Sequence, residues 1–157
     1  MRSSDLARIS SKSINFSADR THVSFVIKSP KEATLADPHR RVQQLRCTPD
    51  PNTCAVCALA NYFARTYGVR RRYGDQDYLF LSYLAPFKPV SSQRISKWIV
   101  DVLERCGVDV SKFKAHSLRS AAATSMLQSG HSVDEVMRRA HWKSRSVFRK
   151  FYDRSLM

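Results

Sequence analysis

A tyrosine stands near the end of the chain in the segment HWKSRSVFRKFYDRSLM, where Tyr152 has Arg145, Arg149, Lys150 and Arg154 around it. A phenol in such a basic segment has two uses. It packs a ring face while its hydroxyl meets solvent, or it points its oxygen at a phosphate that the cations hold. His116 and Arg119, in AHSLRS, are three residues apart, so on one helix an imidazole and a guanidinium share a face and can grip one phosphodiester. Alone this pair says little, because most His-x-x-Arg pairs are surface pairs. Between Arg138 and Arg154, seven basic residues (Arg138, Arg139, Lys143, Arg145, Arg149, Lys150, Arg154) are set against one acid, Asp153, with Trp142, Phe148, Phe151 and Tyr152 interleaved. A charge run is usually a solvated face. One this lopsided beside aromatics reads as a surface that follows phosphates.

Composition points the same way. The chain has 157 residues, 43% of them hydrophobic, which suits one domain with its own core and excludes a disordered tail. Its 27 Lys and Arg against 13 Asp and Glu give a net charge of +14, and the expected partner is a polyanion, nucleic acid first. GVRRR, Gly68 to Arg72, and HRR, His39 to Arg41, add further positive charge whose place on the fold the sequence does not fix. A membrane is not expected as a partner, since there is no long apolar run, no signal-like start and no lipid-anchor motif. The chain reads as soluble and intracellular, and nuclear if its host is a eukaryote. Four cysteines, Cys47, Cys54, Cys57 and Cys106, fit a reduced compartment. The spacing Cys47-x6-Cys54-x2-Cys57, with His39 upstream, could suggest zinc, but TCAVCALANYF reads as the first turns of a helix with its sulfurs on the packed side. Packing is the favoured reading, and no metal is assigned.

These groups need elements to position them. SINFS and HVSFVIK alternate with period two on either side of ADRT, a hairpin pattern, and RVQQLRC offers a third short strand. After TPDPNT, residues Val56, Leu59, Ala60 and Phe63 recur at helical spacing; Ile95, Trp98, Ile99, Val102 and Leu103 do so again after a Ser91-Ser92 cap. Both stripes are expected to face a core. HSLRSAAATSMLQSG predicts a helix stopped at Gly130, SVDE is a capping box with Ser132 as N-cap and Glu135 reaching back, and a last helix runs from about Ser144 to the Tyr152 region. The predicted fold is α+β and mostly helical: a small antiparallel sheet near the N-terminus, then a helical body.

In the order His-x-x-Arg, then an aromatic or His after a capped helix, then Tyr in a basic helix, the chain resembles the catalytic domain of tyrosine recombinases, the phage-integrase family. Within it, the likeness is nearest to recombinases of DIRS-type retroelements. RSSDL is similar to the family's LRxSEL element, which implies Arg2 as a catalytic arginine and Asp5 as the acid that braces the site. VSFVIK ends where the family has its mobile lysine, implying Lys28, with Lys31 in SPKEA as the fallback. His116 and Arg119 match HxLR, and Gly130 matches the glycine that ends its helix. Twelve residues beyond Gly130, the family's His/Trp position falls on Trp142 and not on His141. Tyr152 matches the nucleophile, with FRKFYDR about one residue longer before it than the common pattern. The likeness spans nearly the whole chain. In relatives the equivalent of Arg2 lies behind further helices and a clamp domain, so residues 1–157 are expected to be a partial catalytic domain of a longer protein.

The resemblance implies a DNA recombinase or integrase that joins Tyr152 to a DNA 3′-phosphate and exchanges strands without metal or cofactor. It implies double-stranded DNA as partner, self-association on that DNA, and Arg138, Arg139, Lys143, Arg145, Arg149 and Lys150 as its DNA-contacting face. The alternative is a DNA-binding remnant of such an enzyme that no longer cuts.

Overall fold

The computed structural model describes residues 1–29, 42–74, 77–140, 142, 144–146 and 148. Two compact units divide the chain: Ser4–Ser92, and Gln93–Met157 together with Met1–Ser3. The expected α+β, mostly helical architecture is observed.

The first unit is built on a three-stranded antiparallel sheet in the order β1 (Asn15–Phe16), β2 (His22–Val26), β3 (Val42–Arg46). Its hairpin is the one ADRT predicts: Ser17 N–H donates to His22 O, Arg20 N–H donates to Ser17 O, and Arg20 takes a positive φ of 54°. Alternation works as it should in β2, where Val23 and Phe25 are buried and their neighbours are not. Pairing Val23 with Leu45 and Phe25 with Gln43 fixes the register to β3. Helix α1 (Ser3–Leu6) precedes the sheet, and α2 (Ala55–Tyr73) follows it. Ile9, Phe25, Ile27 and Leu79 form the core, with Leu59, Tyr62 and Phe63 of α2 packed against them. The predicted stripe on α2 therefore faces inward.

The second unit holds α3 (Ser92–Arg105), α4 (Ser117–Gln128) and α5 (Val133–Ala140). On α3, Ile95 is buried, but Val102 is 58% exposed and does not belong to the core stripe expected of it. The α4 stop is a Schellman turn: Gly130 has φ +85°, its N–H donates to Leu127 O, and His131 N–H donates to Met126 O. Ser132 caps α5 by accepting from Glu135 N–H at 3.2 Å. The Glu135 carboxylate, expected to reach back to the cap, holds His131 Nδ1 at 3.0 Å and Arg139 at 2.7 Å. A further helical turn opens at Ser144, whose carbonyl accepts from Phe148 N–H. No helix among the described residues is long and apolar enough to cross a membrane.

Candidate active site

His116 and Arg119 sit at the start of α4. His116 is the N-cap residue but has helical dihedrals (φ −74°, ψ −19°), so Arg119 N–H reaches its carbonyl at 3.1 Å and the spacing of three still puts both side chains one turn apart. His116 is exposed and Arg119 half-buried. Ala123 of α4, Val136 of α5 and Phe148 form a buried cluster that draws the segment after α5 back onto α4. Trp142 packs on that cluster, its ring 4.9 Å from Phe148 and 4.6 Å from the Arg119 guanidinium carbon. Arg119 Nη2 also donates to Ala140 O. Hydrophobic packing thus places an indole on one face of a guanidinium and a carbonyl at its edge, which fixes the fork's direction. Arg2 belongs to the same compact unit and is half-buried. The residue after it is tied down, since Ser96 Oγ of α3 donates to Ser3 Oγ at 2.8 Å.

The other candidate groups lie in the sheet unit. Asp5, in α1, is 7% exposed. Lys28 follows β2, one residue past the Ile9–Ile27 bridge, with its N–H bonded to Arg8 O. Its ammonium pairs with Asp77 at 2.7 Å and lies 4.2 Å from the Tyr78 ring centroid. Asp77 carries no motif and was not anticipated. Desolvation pushes its carboxyl up, but Lys28, the Ser10 hydroxyl and the Lys12 N–H outweigh this and hold it at about 2. Asp77 in turn is positioned by Arg70. This arginine, one of the charges of GVRRR whose place the sequence left open, is 9% exposed: Nη1 donates to Tyr78 O at 2.9 Å, Nη2 to Leu79 O and Nε to Thr66 Oγ1. Val56, Leu59, Ala60 and Phe63 define an inward stripe that continues through Thr66 to position 70, whereas Arg71 and Arg72 turn outward and are exposed.

Arg138, Arg139 and Arg145, from the basic run, are exposed. Two of them have acidic partners: Arg139 pairs with Glu135 at 2.7 Å and Arg145 with Asp134 at 3.3 Å. Lys31, His141, Lys143, Arg149, Lys150 and Tyr152 lie outside the described residues, as does most of the predicted last helix.

Three of the cysteines come together. The Sγ atoms of Cys47, Cys54 and Cys57 all lie within 4.8 Å of one another, the one such group of possible metal ligands among the described residues. Cys54 is buried, as the packing reading expects, but Cys57 is only partly so and Cys47 is exposed. Cys47 lies outside the helix to which the packed-side reading applies; it directly follows β3 and is exposed, although alternation from the half-buried Gln43 and Leu45 would turn it inward. The N–H groups of Cys57 and Thr48 bring the Cys54 thiol down to about 6, and the hydrogen bond with Cys54 raises that of Cys47 to about 11.

Compared with models of protein families, residues 1–157 match the phage integrase family. No curated protein matches the chain.

Proposed function

Because the chain belongs to the phage integrase family, a family of site-specific recombinases acting on DNA, we propose that it cleaves and rejoins double-stranded DNA through a 3′-phosphotyrosyl bond at Tyr152. The observation that carries this reading is the start of α4, where His116 and Arg119 stand one turn apart and Trp142 lies over the guanidinium. A phenol with an ordinary pKa of about 10 is a poor nucleophile at neutral pH. It needs cations that stabilise both the phenolate and the pentavalent phosphorane.

Arg2 and Arg119 supply them by holding the non-bridging oxygens of the scissile phosphate. The Tyr152 oxygen forms a bond to phosphorus as the P–O5′ bond breaks, and the electron pair leaves with O5′. His116 takes the phenol proton and Lys28 gives a proton to the departing oxygen. Asp5 braces the first arginine, while Trp142 keeps the second in one orientation. The phosphotyrosyl ester retains the energy of the broken linkage, so a 5′-hydroxyl from another strand can attack it and no nucleotide triphosphate is consumed. Exchange between two duplexes requires more than one copy on the DNA. Arg138, Arg139 and Arg145, with Lys143, Arg149 and Lys150, are assigned to the DNA backbone.

A nicked suicide substrate tests this. The chain should form a covalent protein–DNA adduct that Tyr152→Phe abolishes, with non-covalent binding nearly unchanged. An adduct that persists in Tyr152→Phe would move the nucleophile elsewhere. One observation favours a DNA-binding remnant instead: Lys28 is already held by an acid and Arg119 by a backbone carbonyl. That reading predicts binding with no adduct from any substrate.

A further inference from the structure

The cysteine cluster is unexplained by strand exchange, which uses none of its groups. Its three members come from two elements of one unit: Cys47 is the residue after β3, Cys54 caps α2 and Cys57 lies in the first turn of α2. Backbone and thiol contacts both fix them, and the Cys47 thiol donates to Arg20 O at 3.3 Å. Cys47 N–H donates to Thr21 O at 2.7 Å, extending the ladder beyond the strand. The connection to α2 is folded on Asp50, whose carboxylate accepts from Asn52 N–H at 2.9 Å and whose carbonyl accepts from the Thr53 hydroxyl at 3.3 Å. Cys57 N–H then reaches Cys54 Sγ at 3.4 Å. The fold therefore brings the sulfurs together by its own connectivity.

Packing accounts for part of this. Cys54 belongs to a core cluster with Val23 and Val56, and Cys57 lies at its edge. It gives no reason for Cys47, which is exposed yet turned toward the other two. A Cys-x2-Cys pair at the start of a helix joined by a cysteine from a neighbouring element is how proteins assemble soft-metal sites, and thiolates are favoured at a helix N-terminus.

We infer that Cys47, Cys54 and Cys57 form a zinc site that clamps the end of β3 to the start of α2. Tetrahedral zinc with Zn–S bonds of about 2.3 Å sets its sulfurs about 3.8 Å apart. From an arrangement already within 4.8 Å, this takes a small inward movement, which the exposed Cys47 side chain can make. Three thiols give up three protons on binding, leaving a complex with one net negative charge. A water on the solvent side, where Cys47 lies, fills the fourth position. The metal takes no part in the phosphoryl transfer proposed for Tyr152. It holds the sheet to α2, the helix that carries Arg70.

The full chain, purified under reducing conditions without chelator, should retain about one zinc per molecule through dialysis. Titration of the metal-free chain with cobalt(II) should give the intense thiolate-to-cobalt charge-transfer bands of a multi-thiolate site. Cys47→Ser is the decisive variant, because its side chain is exposed and its loss leaves no cavity; it should fold, lose the zinc and lose most of the charge-transfer intensity. Cys106→Ser, which changes the remaining cysteine, should behave like the parent. Removing zinc with a chelator should lower the melting temperature of the parent and leave Cys47→Ser unmoved. The site is refuted by a folded parent that neither retains zinc nor develops the cobalt bands. It is refuted equally if Cys47→Ser holds as much zinc as the parent, or if the three thiols prove to be occupied by a disulfide in the reduced preparation. Adduct formation by Tyr152 is measured separately, so failure of either proposal leaves the other standing.

Discussion

The indole of Trp142 lies over a guanidinium that the proposed mechanism needs in one orientation. A stacked aromatic face and a carbonyl at the edge restrict Arg119 before any phosphate arrives, so less ordering remains for the transition state. Replacing Trp142 by Ala should slow adduct formation and lower stability by about 2 kcal/mol, less than for a fully buried tryptophan because the ring is only half-buried. Trp142→Phe keeps a ring on the guanidinium and should recover most of the stability, which isolates the indole N–H as the remaining difference in rate. His141→Ala should cost less than Trp142→Ala in single-turnover cleavage. A larger loss at His141, with Trp142→Ala folded and active, would show that the position counted from Gly130 is off by one. Asp77 offers a second test at this scale. Its carboxyl is held at about 2, below the ordinary value near 4, so its contribution to stability is complete above pH 4 and is lost as pH falls toward 2. Urea unfolding across that range should show the parent losing on the order of 1 kcal/mol more than Asp77→Asn, since the side chain is 30% exposed and its pairing with Lys28 is partly screened. Parallel curves for the two proteins would mean that the ion pair contributes nothing to stability.

Helix α2 is more than a wall of the core. Arg70 reaches from it to two consecutive carbonyls, Tyr78 and Leu79, immediately beyond Asp77, and Leu79 N–H in turn bonds Ile9 O. An arginine is thereby used as a brace: its charge is solvated by backbone oxygens and by Thr66, and its plane rests 5.2 Å from the Phe63 ring. Arg70→Met keeps much of the stem's packing but strands two carbonyls, and should cost about 3 kcal/mol by urea denaturation. Arg71→Met, on the exposed side of the same helix, should change stability by under about 0.5 kcal/mol. Equal effects from the two substitutions would remove the brace. The sequence made the hairpin, β3, α2 and the α4 stop legible because each depends on local information, namely alternation, helical spacing or a glycine at positive φ. Arg70 was hidden among three identical letters, although its place on the stripe through Phe63 and Thr66 was there to be counted. Asp77 was not legible in the same way. Its partners Ser10, Lys12 and Lys28 are distant in sequence, and nothing local in GDQD distinguishes the residue that meets them. On α3, helical spacing alone could not tell that Val102, in phase with the buried Ile95, is left exposed.

A net charge of +14 predicts attraction to DNA, but it does not say how many cations are available to phosphates. Among the described residues, several are committed to protein partners: Arg70 to carbonyls, Lys28 to Asp77, Arg139 to Glu135 and Arg145 to Asp134. Arg138 is exposed with no ion pair among the described residues. This distinction has a measurable consequence. Each phosphate neutralised releases counterions and contributes about −0.9 to the slope of log affinity against log salt concentration. Arg138→Gln should therefore flatten that slope by about one and weaken binding to all sequences alike. Arg139→Gln and Arg145→Gln should each flatten it by less, because an arginine must leave Glu135 or Asp134 before it can meet a phosphate, and the acid it leaves behind repels the DNA. Removing the acid reverses the argument: Asp134→Asn should tighten binding and steepen the slope by freeing Arg145. Titrations of the four variants and the parent on one duplex over several salt concentrations are enough to decide. If Arg139→Gln and Arg145→Gln flatten the slope as much as Arg138→Gln, or if Asp134→Asn leaves it unchanged, these ion pairs open without cost on DNA and the whole basic run acts as a single phosphate-binding face.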